Sequence, residues 1–581
     1  MAFLTDAAAP AVLRKPRQGG LFAWTVFALV AFAVTIPVFF LIVGSFSLAR
    51  LPTDFSLSNM GFDNYVEVWV RQNTVSVLWD TIVYVIGSTA LGVGCAVILA
   101  WLVERTDIPG RLWIFAAIPL SLAVPGILQA IAWVLLLSPR AGFINQFWMQ
   151  LAGTRTPLVD IYTLGGMIVV EGLRLVPTAF LMMIPILRSM DPALEEAAAM
   201  SGANPLRTAR RVTLLLIVPG LVAITMFQMM TALDAFEVPG VLGLPVNLHV
   251  LSTRVYAIVD NVGTVPAFGQ ANALAIVYLL LAVALSLLYF RVTRNQERFA
   301  VVTGKAYRPR RVALGGWKWP ALGLVVLFVL ASIVLPFLVL LYASLVKFLV
   351  PPSAAAFANM SLVHYERIFA DSRFNNAAWN TLWMVLGTAT SVTVVAFTVS
   401  FIVVRTRFAA RKLLDVIAFL PHAIPSIVLA LAFLWFFLQV DRFTGIGSFG
   451  SIASLVIGFT VVFLAYSTRS LNAAMMQIHK DLEEAAMMSG ASPLRVAGRI
   501  FLPLLLPAIA GLWIYVTVLA IRTTSLPLML NKGAENEVLA ALIWYLWENG
   551  RIESVGAIGV LLMGLMFALA VGLRLIGFGK D

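Results

Sequence analysis

Few side chains in this 581-residue sequence can do chemistry, and their spacing rules out most of it. Cys95 is the only cysteine and lies in an apolar run, which excludes an internal disulfide and any multi-cysteine metal or redox motif. His249, His364, His422 and His479 are scattered and make no metal-ligand spacing. The methionines at Met182-Met183, Met226, Met229-Met230 and Met487-Met488 read as packing filler and not as soft-metal ligands. No Ser-His-Asp arrangement or paired catalytic carboxylates is visible, so no catalytic residue and no metal site is expected in this chain. What remains are charges in apolar surroundings, where an ionised group is costly and is kept for a reason. Glu171 and Arg174 stand at i, i+3 spacing and can neutralise each other along one helix face. Asp234 and Glu237, also i, i+3, fall where an apolar stretch ends, and Arg522 occupies the position equivalent to Asp234 later in the chain. Carboxylate oxygens suit a hard cation or an amine. Asp234, Glu237, Arg522, Glu171 and Arg174 are therefore the candidate pathway residues; a static ion pair, helix-end capping or a docking contact are the structural alternatives.

The most informative polar feature occurs twice. Residues 195–207 read EEAAAMSGANPLR and residues 483–495 read EEAAMMSGASPLR, both in short polar breaks between long apolar runs. Asp481 can cap a helix with Glu484 three residues on, and Asp191 precedes Pro192, a favoured first helical residue. Gly202 and Gly490 supply a left-handed stop, and Asn204-Pro205 and Ser492-Pro493 start a second helix. The spacing predicts a helix-turn-helix along the membrane surface. Leu194, Ala197 and Ala198, like Leu482, Ala485 and Ala486, share one small-sided face that permits close docking, while Glu196 and Glu484 point elsewhere.

These loops need elements to carry them. With 61% hydrophobic and 12% charged residues, the chain has too little polar surface for several soluble domains and reads as a polytopic membrane protein. Apolar runs long enough to cross about 30 Å of hydrocarbon occur about twelve times. They begin near Leu21, Val77, Leu112, Ile161, Leu214, Gly269, Pro320, Trp379, Leu413, Ser451, Phe501 and Ser554. The runs are continuous and not alternating, which favours a helical bundle over a barrel. The net charge of +12 follows the positive-inside rule: with the amino terminus inside, about 27 of the 40 Lys and Arg fall in cytoplasmic segments, so contact with lipid and not nucleic acid is expected. The first run lacks a cleavage site and reads as an uncleaved span.

Self-comparison divides the chain in two. At an offset of 288, Pro219 pairs with Pro507, Pro239 with Pro527, Val250 with Val538 and Asn261 with Asn549; at an offset of 300, Tyr65 pairs with Tyr365, Thr81 with Thr381, Arg105-Thr106 with Arg405-Thr406 and Pro125 with Pro425. Residues 1–292 form a first half of six spans, 293–319 a basic cytoplasmic linker, and 320–581 a second half of six spans. Six crossings separate the two repeated loops, so both face the cytoplasm and the halves are parallel repeats. Both termini are expected to be cytoplasmic.

The repeated loops resemble the Glu-Ala-Ala signature of importer-type ABC transporter permeases, in which Glu-Ala-Ala is followed by Gly and then Ile-x-Leu-Pro. The second copy has Glu484, Ala485, Ala486, Gly490, Ile500, Leu502 and Pro503. The first has Glu196, Ala197, Ala198, Gly202, Val212 and Leu214, with Leu215 where the family has Pro. The stretch from Asp234 to Gly240 looks like the corresponding segment of fused permeases of the ferric-iron group, relatives of polyamine, thiamine and aminophosphonate importers. The resemblance implies an all-α type I importer transmembrane domain in the inner membrane. It further implies two copies of a cytoplasmic ABC ATPase seated on the loops and an external solute-binding protein that delivers most plausibly ferric iron. No G-x-x-x-x-G-K-[ST] sequence occurs, so ATP and magnesium are expected on the partner ATPase and no cofactor on this chain. The alternatives are an importer of polyamine, thiamine or aminophosphonate, or a twelve-span secondary transporter driven by an ion gradient.

Overall fold

The computed structural model describes residues 20–56, 58–72, 74–189, 197–198, 200–202, 205–260, 266–293, 312–531 and 533–578. Among these the secondary structure is helical, with two isolated bridges, Ser47 to Met60 and Thr106 to Val312, and no strand. The principal helices of residues 20–293 are α1 (Gly20–Phe46), α2 (Val75–Arg105), α3 (Arg111–Leu120), α4 (Gly126–Leu137), α5 (Leu164–Ser189), α6 (Leu214–Asp234), α7 (Glu237–Gly243), α8 (Leu251–Val259) and α9 (Phe268–Thr293). Those that follow are α10 (Lys318–Val329), α11 (Leu335–Leu345), α12 (Ser372–Arg405), α13 (Arg411–Phe419), α14 (Ser426–Thr444), α15 (Ile452–Met476), α16 (Lys480–Met488), α17 (Leu502–Arg522), α18 (Ser525–Leu530), α19 (Leu539–Glu548) and α20 (Ile552–Phe578). The order repeats: α2 corresponds to α12, α5 to α15, α6 to α17 and α9 to α20. The chain is an all-α, multi-pass membrane protein.

Among the described residues, eleven helices are long and apolar enough to cross a membrane. The twelfth apolar run is broken: α3, with its closing turn, and α4 meet at 96°. The cause is local. Pro125 has no N–H to give and biases Val124 to an extended backbone (ψ 117°), so helix cannot continue through it. Ile424 and Pro425 repeat this ahead of α14. A second bend, 67° between the segments containing α7 and α8, was not legible in the apolar pattern. It recurs as α18 and α19, and the ten residues of α19 span only about 15 Å, too short for a crossing. The twelve expected crossings therefore stand.

Within each half the tightest packing is α2 on α5 and α12 on α15. The first of these needs glycine: a Cβ at Gly92 would lie 2.8 Å from the Leu175 Cβ, and one at Gly172 2.5 Å from a Leu91 methyl. The two halves also exchange their first spans. Helix α1 lies on α9 but also on α13 and α14, and α11 lies on α20 but also on α4. One buried apolar cluster runs through both halves, joining Phe236, Val238 and Tyr256 to Phe433, Trp435 and Trp544. The large cluster also reaches the end that carries the repeated loops, through Ala23, Ile402 and Leu414, and two smaller clusters stand there. One gathers Ala96, Phe180, Ile217 and Phe328; the other gathers Met475, Val496, Phe501 and Leu505.

Candidate functional site

The second repeated loop is a helix, a left-handed turn and a second helix. Helix α16 ends where Gly490 takes φ +80°; the Ala491 N–H donates to the Ala486 carbonyl at 3.0 Å and the Gly490 N–H to that of Met487 at 3.0 Å. This pair of bonds satisfies carbonyls that a helix end leaves open, and the positive φ is the reason for glycine there. The Ser492 hydroxyl accepts the Arg495 N–H at 3.4 Å, starting the short helix Pro493–Val496 as its sequence implied. Asp481 does not cap α16. The extended residue is His479 (ψ 142°), the helix starts at Lys480, and Asp481 sits in its first turn with an exposed contact to His479 at 3.0 Å.

The open side of α16 carries Glu484 beside Ala485, whereas Ala486 turns partly into the core, so the small residues and Glu484 do not divide between faces as expected. Glu484 and Ala485 are exposed, Ala486 is half-buried, and Leu482 and Met488 stand 48% and 76% exposed. In the first loop Ala197 and Gly202 are exposed and Ala198 is half-buried, with Gly202 again at φ +80° and Met200 at 90% exposure. Glu196 lies outside the described residues.

Of the charges at membrane depth, Glu171, Arg174, Asp234 and Arg522 each hold a hydrogen-bonding partner. Arg174 grips Glu171 through Nε at 2.9 Å and Nη2 at 2.7 Å, with Glu171 fully buried. Their equivalents, Phe459 and Val462, are apolar, and Phe459 stacks on Phe463. Asp234 and Glu237 do not share a helix face, contrary to their spacing. Ala235 is extended (ψ 131°), so Asp234 ends α6 and Glu237 opens α7. Glu237 lies against the start of α4, its Cβ 3.6 Å from where a Gly126 Cβ would stand, beside Arg174. Asp234 instead crosses to the other half. Its two oxygens accept the Ser426 N–H at 2.5 Å and the Ser426 hydroxyl at 2.9 Å, at the start of α14.

Arg522 makes the equivalent crossing with the polarity reversed. Its Nη1 donates to the Leu122 carbonyl at 3.0 Å, in the turn that closes α3. A helix beginning after an extended proline offers unpaired N–H groups, and one that stops before it offers unpaired carbonyls. An acid matches the first and a base the second. On the loop side of the Asp234 contact a cavity of about 120 Å³ separates the halves, lined by Phe227, Met230, Thr231, Asp234, Ser286 and His422. On the far side, Phe236, Tyr256 and Trp544 form an aromatic cluster across the halves, with Phe236 and Trp544 ring centroids 5.3 Å apart. Near this cluster lie Asp260 and Glu548, equivalent at an offset of 288. Burial raises both carboxyls above the usual range, and for Glu548 the Asp260 charge adds to the effect.

Known proteins with this pattern are membrane transport subunits. Residues 393–577 match the model of the family described as binding-protein-dependent transport system inner membrane component. The ferric transport system permease protein FbpB of Actinobacillus pleuropneumoniae is 24% identical over 488 residues, which cover 83% of this chain and 68% of that protein. The putative ferric transport system permease protein FbpB 1 of Haemophilus influenzae is 24% identical over 444 residues, covering 75% and 67%. A crystal structure of a bacterial alginate ABC transporter, in complex with an alginate pentasaccharide-bound periplasmic protein, aligns with a TM-score of 0.37 and 18% identity over 45% of this chain and 93% of that one.

The chain is an ABC importer permease subunit. It resembles the fused permeases of the ferric group, and the matched stretch of the permease contains its second repeated loop and Arg522. Sequence reasoning overlooked two features of the permease. One is the partner of Asp234, Ser426, whose equivalent Gly126 carries no side chain; the clue was the repeat of Pro125 as Pro425 just ahead of both. The other is Glu483, the buried first glutamate of the loop, whose partner lies in the repeated Arg405-Thr406 pair. Cys95 is half-buried and free, and none of the described His, Cys, Asp and Glu gather into a metal-binding group.

Proposed function

We propose that this permease passes ferric iron, delivered by an external binding protein, across the inner membrane, driven by two copies of a cytoplasmic ATPase that seat on the two repeated loops. The permease itself hydrolyses nothing and holds no cofactor; ATP and magnesium act on the ATPase. The observation that carries the reading is the pair of matching loops, each with the first alanine of its Glu-Ala-Ala exposed, Ala197 and Ala485, and each turned at a glycine of φ +80°. In this reading Glu196 and Glu484 hold the coupling contacts, with Ala197, Ala198, Ala485 and Ala486 allowing close approach and Gly202 and Gly490 the turns. The loops, the linker at 293–319 and both termini face the cytoplasm, and residues 1–292 and 320–581 are the two halves.

The cavity beside Asp234 suits a path that opens toward the loops, with the aromatic cluster closing the other side. Iron is favoured as cargo by the names of the relatives that cover most of the chain, and by carboxylates as the hard ligands of the interface. Replacing Glu196→Lys together with Glu484→Lys is expected to leave the protein in the membrane while ATPase recovery in pull-downs and uptake are both lost. Undiminished ATPase recovery in the double variant overturns the docking assignment. Uptake of radiolabelled ferric iron and, in parallel, of radiolabelled spermidine into proteoliposomes carrying permease, ATPase and binding protein decides the cargo: spermidine uptake without iron uptake assigns an amine instead.

A further inference from the structure

Between the exposed loop and the membrane core stands a buried arginine, and the sequence repeats it. Arg405, the last residue of α12, has a side chain only 4% exposed. It donates through Nη2 to the Met475 carbonyl at the end of α15 and to the Ile478 carbonyl at 2.7 Å, in the turn that leads into α16. Its Nη1 faces a carboxylate oxygen of Glu483 at 3.8 Å, and its guanidinium lies over the Phe501 ring, 4.7 Å from the centroid, where α17 begins. Four segments therefore meet on one cation: α12, α15, α16 and the start of α17.

The first half repeats the core of this arrangement. Arg105, equivalent at an offset of 300 and 2% exposed, donates through Nη2 to the Leu187 carbonyl at 2.8 Å, and Leu187 is the equivalent of Met475 at an offset of 288. A planar, permanently charged group with donors on several edges is suited to tie carbonyls and a carboxylate together at once. The carbonyls it takes are those of a helix end, which attract a cation.

Glu483 and Glu484 are neighbours on α16, about 100° apart around its axis, one buried on Arg405 and one exposed. A tilt of α16 driven at its open face must therefore move Glu483 against Arg405, and through Arg405 the ends of α12 and α15. We propose that Arg405, with Arg105 as its counterpart, is the positioning residue that transmits movement of the repeated loops into the helix bundle. This rests on the ATPase-coupling reading of the loops and adds what lies behind them.

The test uses the complete complex of permease, ATPase and binding protein in proteoliposomes. A single cysteine replaces the exposed Glu535, which lies at the end of the bundle away from the loops, in a Cys95→Ala background, and its labelling rate is measured with and without ATP plus vanadate. In the parent protein, nucleotide trapping is expected to change that rate. In R405Q the ATPase is expected to remain bound and to trap nucleotide, while the labelling change falls at least tenfold; R405K, which keeps the charge but loses the fork, is expected to recover part of it. The proposal is overturned if R405Q and the R105Q/R405Q double variant show the parent labelling change. E483Q, which keeps the volume of Glu483 and removes its charge, is read the same way where R405Q does not reach the membrane. Failure of the parent complex to retain the ATPase overturns the coupling reading itself, and is thereby distinguished from failure of the arginine's role.

Discussion

Asp234 and Arg522 hold equivalent positions with opposite charge, and each crosses to the other half to meet a helix break of matching polarity. Their value is therefore local and not a matter of net charge. Exchanging them conserves the sum of charges yet points a cation at the Ser426 N–H and a carboxylate at the Leu122 carbonyl. Breaking one buried, hydrogen-bonded charge contact by removing a partner costs about 3–5 kcal/mol, since the group left behind is uncompensated. The exchange variant Asp234→Arg with Arg522→Asp is expected to accumulate in the membrane less than either Asp234→Asn or Arg522→Gln. Comparing membrane yield and thermal unfolding of the three in detergent checks this; an exchange variant as stable as the parent shows that a charge pair, and not the break polarity, is what matters. The residues themselves were legible as anomalies, because charge in apolar sequence stands out. Their partners were not, because Ser426 and Leu122 are ordinary residues whose backbone groups matter only because the nearby Pro425 and Pro125 open helix ends, 192 and 400 positions from the charges that meet them.

Helices read from apolar runs came out nearly where length and composition placed them, since a span has to satisfy its own backbone in lipid. Breaks were harder. The 96° bend ahead of α4 follows from Pro125, but the α7 and α8 segment is as apolar as a span, and Pro245 in its turn does not by itself mark a break, since Pro177 and Pro219 stand inside unbroken spans. Only its repeat as α18 and α19, which is too short, reveals what it is. This re-entrant element brings Asp260 and Glu548 together at its two copies, and the ionised forms of both are disfavoured there, chiefly by burial. A carboxyl whose folded-state value is raised costs the fold stability once it ionises, so the penalty is present above the raised value and absent below the ordinary range near pH 4. Asp260→Asn is thus expected to melt higher than the parent at pH 8, with the difference closing as pH falls toward 4. Melting curves of the detergent-solubilised permease across that interval decide it, and a difference that grows on acidification has the wrong sign. Residues 294–311 of the linker and residues 190–196 ahead of the first loop's turn lie outside the described residues.

At the scale of the whole molecule one apolar core joins the halves, and the buried charges that cross between them, Asp234 and Arg522, lie on the far side of a cavity from the loops. Separating the halves on the loop side of that contact exposes the walls of an existing cavity, whereas separating them at the other end must part Phe236 from Trp544 and break the Asp234 and Arg522 contacts. Transport by alternating access requires the second event as well as the first. A covalent tie across the far contact is therefore expected to stop the cycle without disturbing the fold. In Asp234→Cys with Ser426→Cys, built in a Cys95→Ala background, the side chains replaced are the two that meet at 2.9 Å, close enough for oxidation to join them without large backbone movement. Uptake in reconstituted vesicles is expected to fall at least tenfold on oxidation and to return on reduction, each preparation serving as its own reference. Uptake that persists in fully cross-linked protein shows that this contact stays closed throughout transport and that the path runs elsewhere.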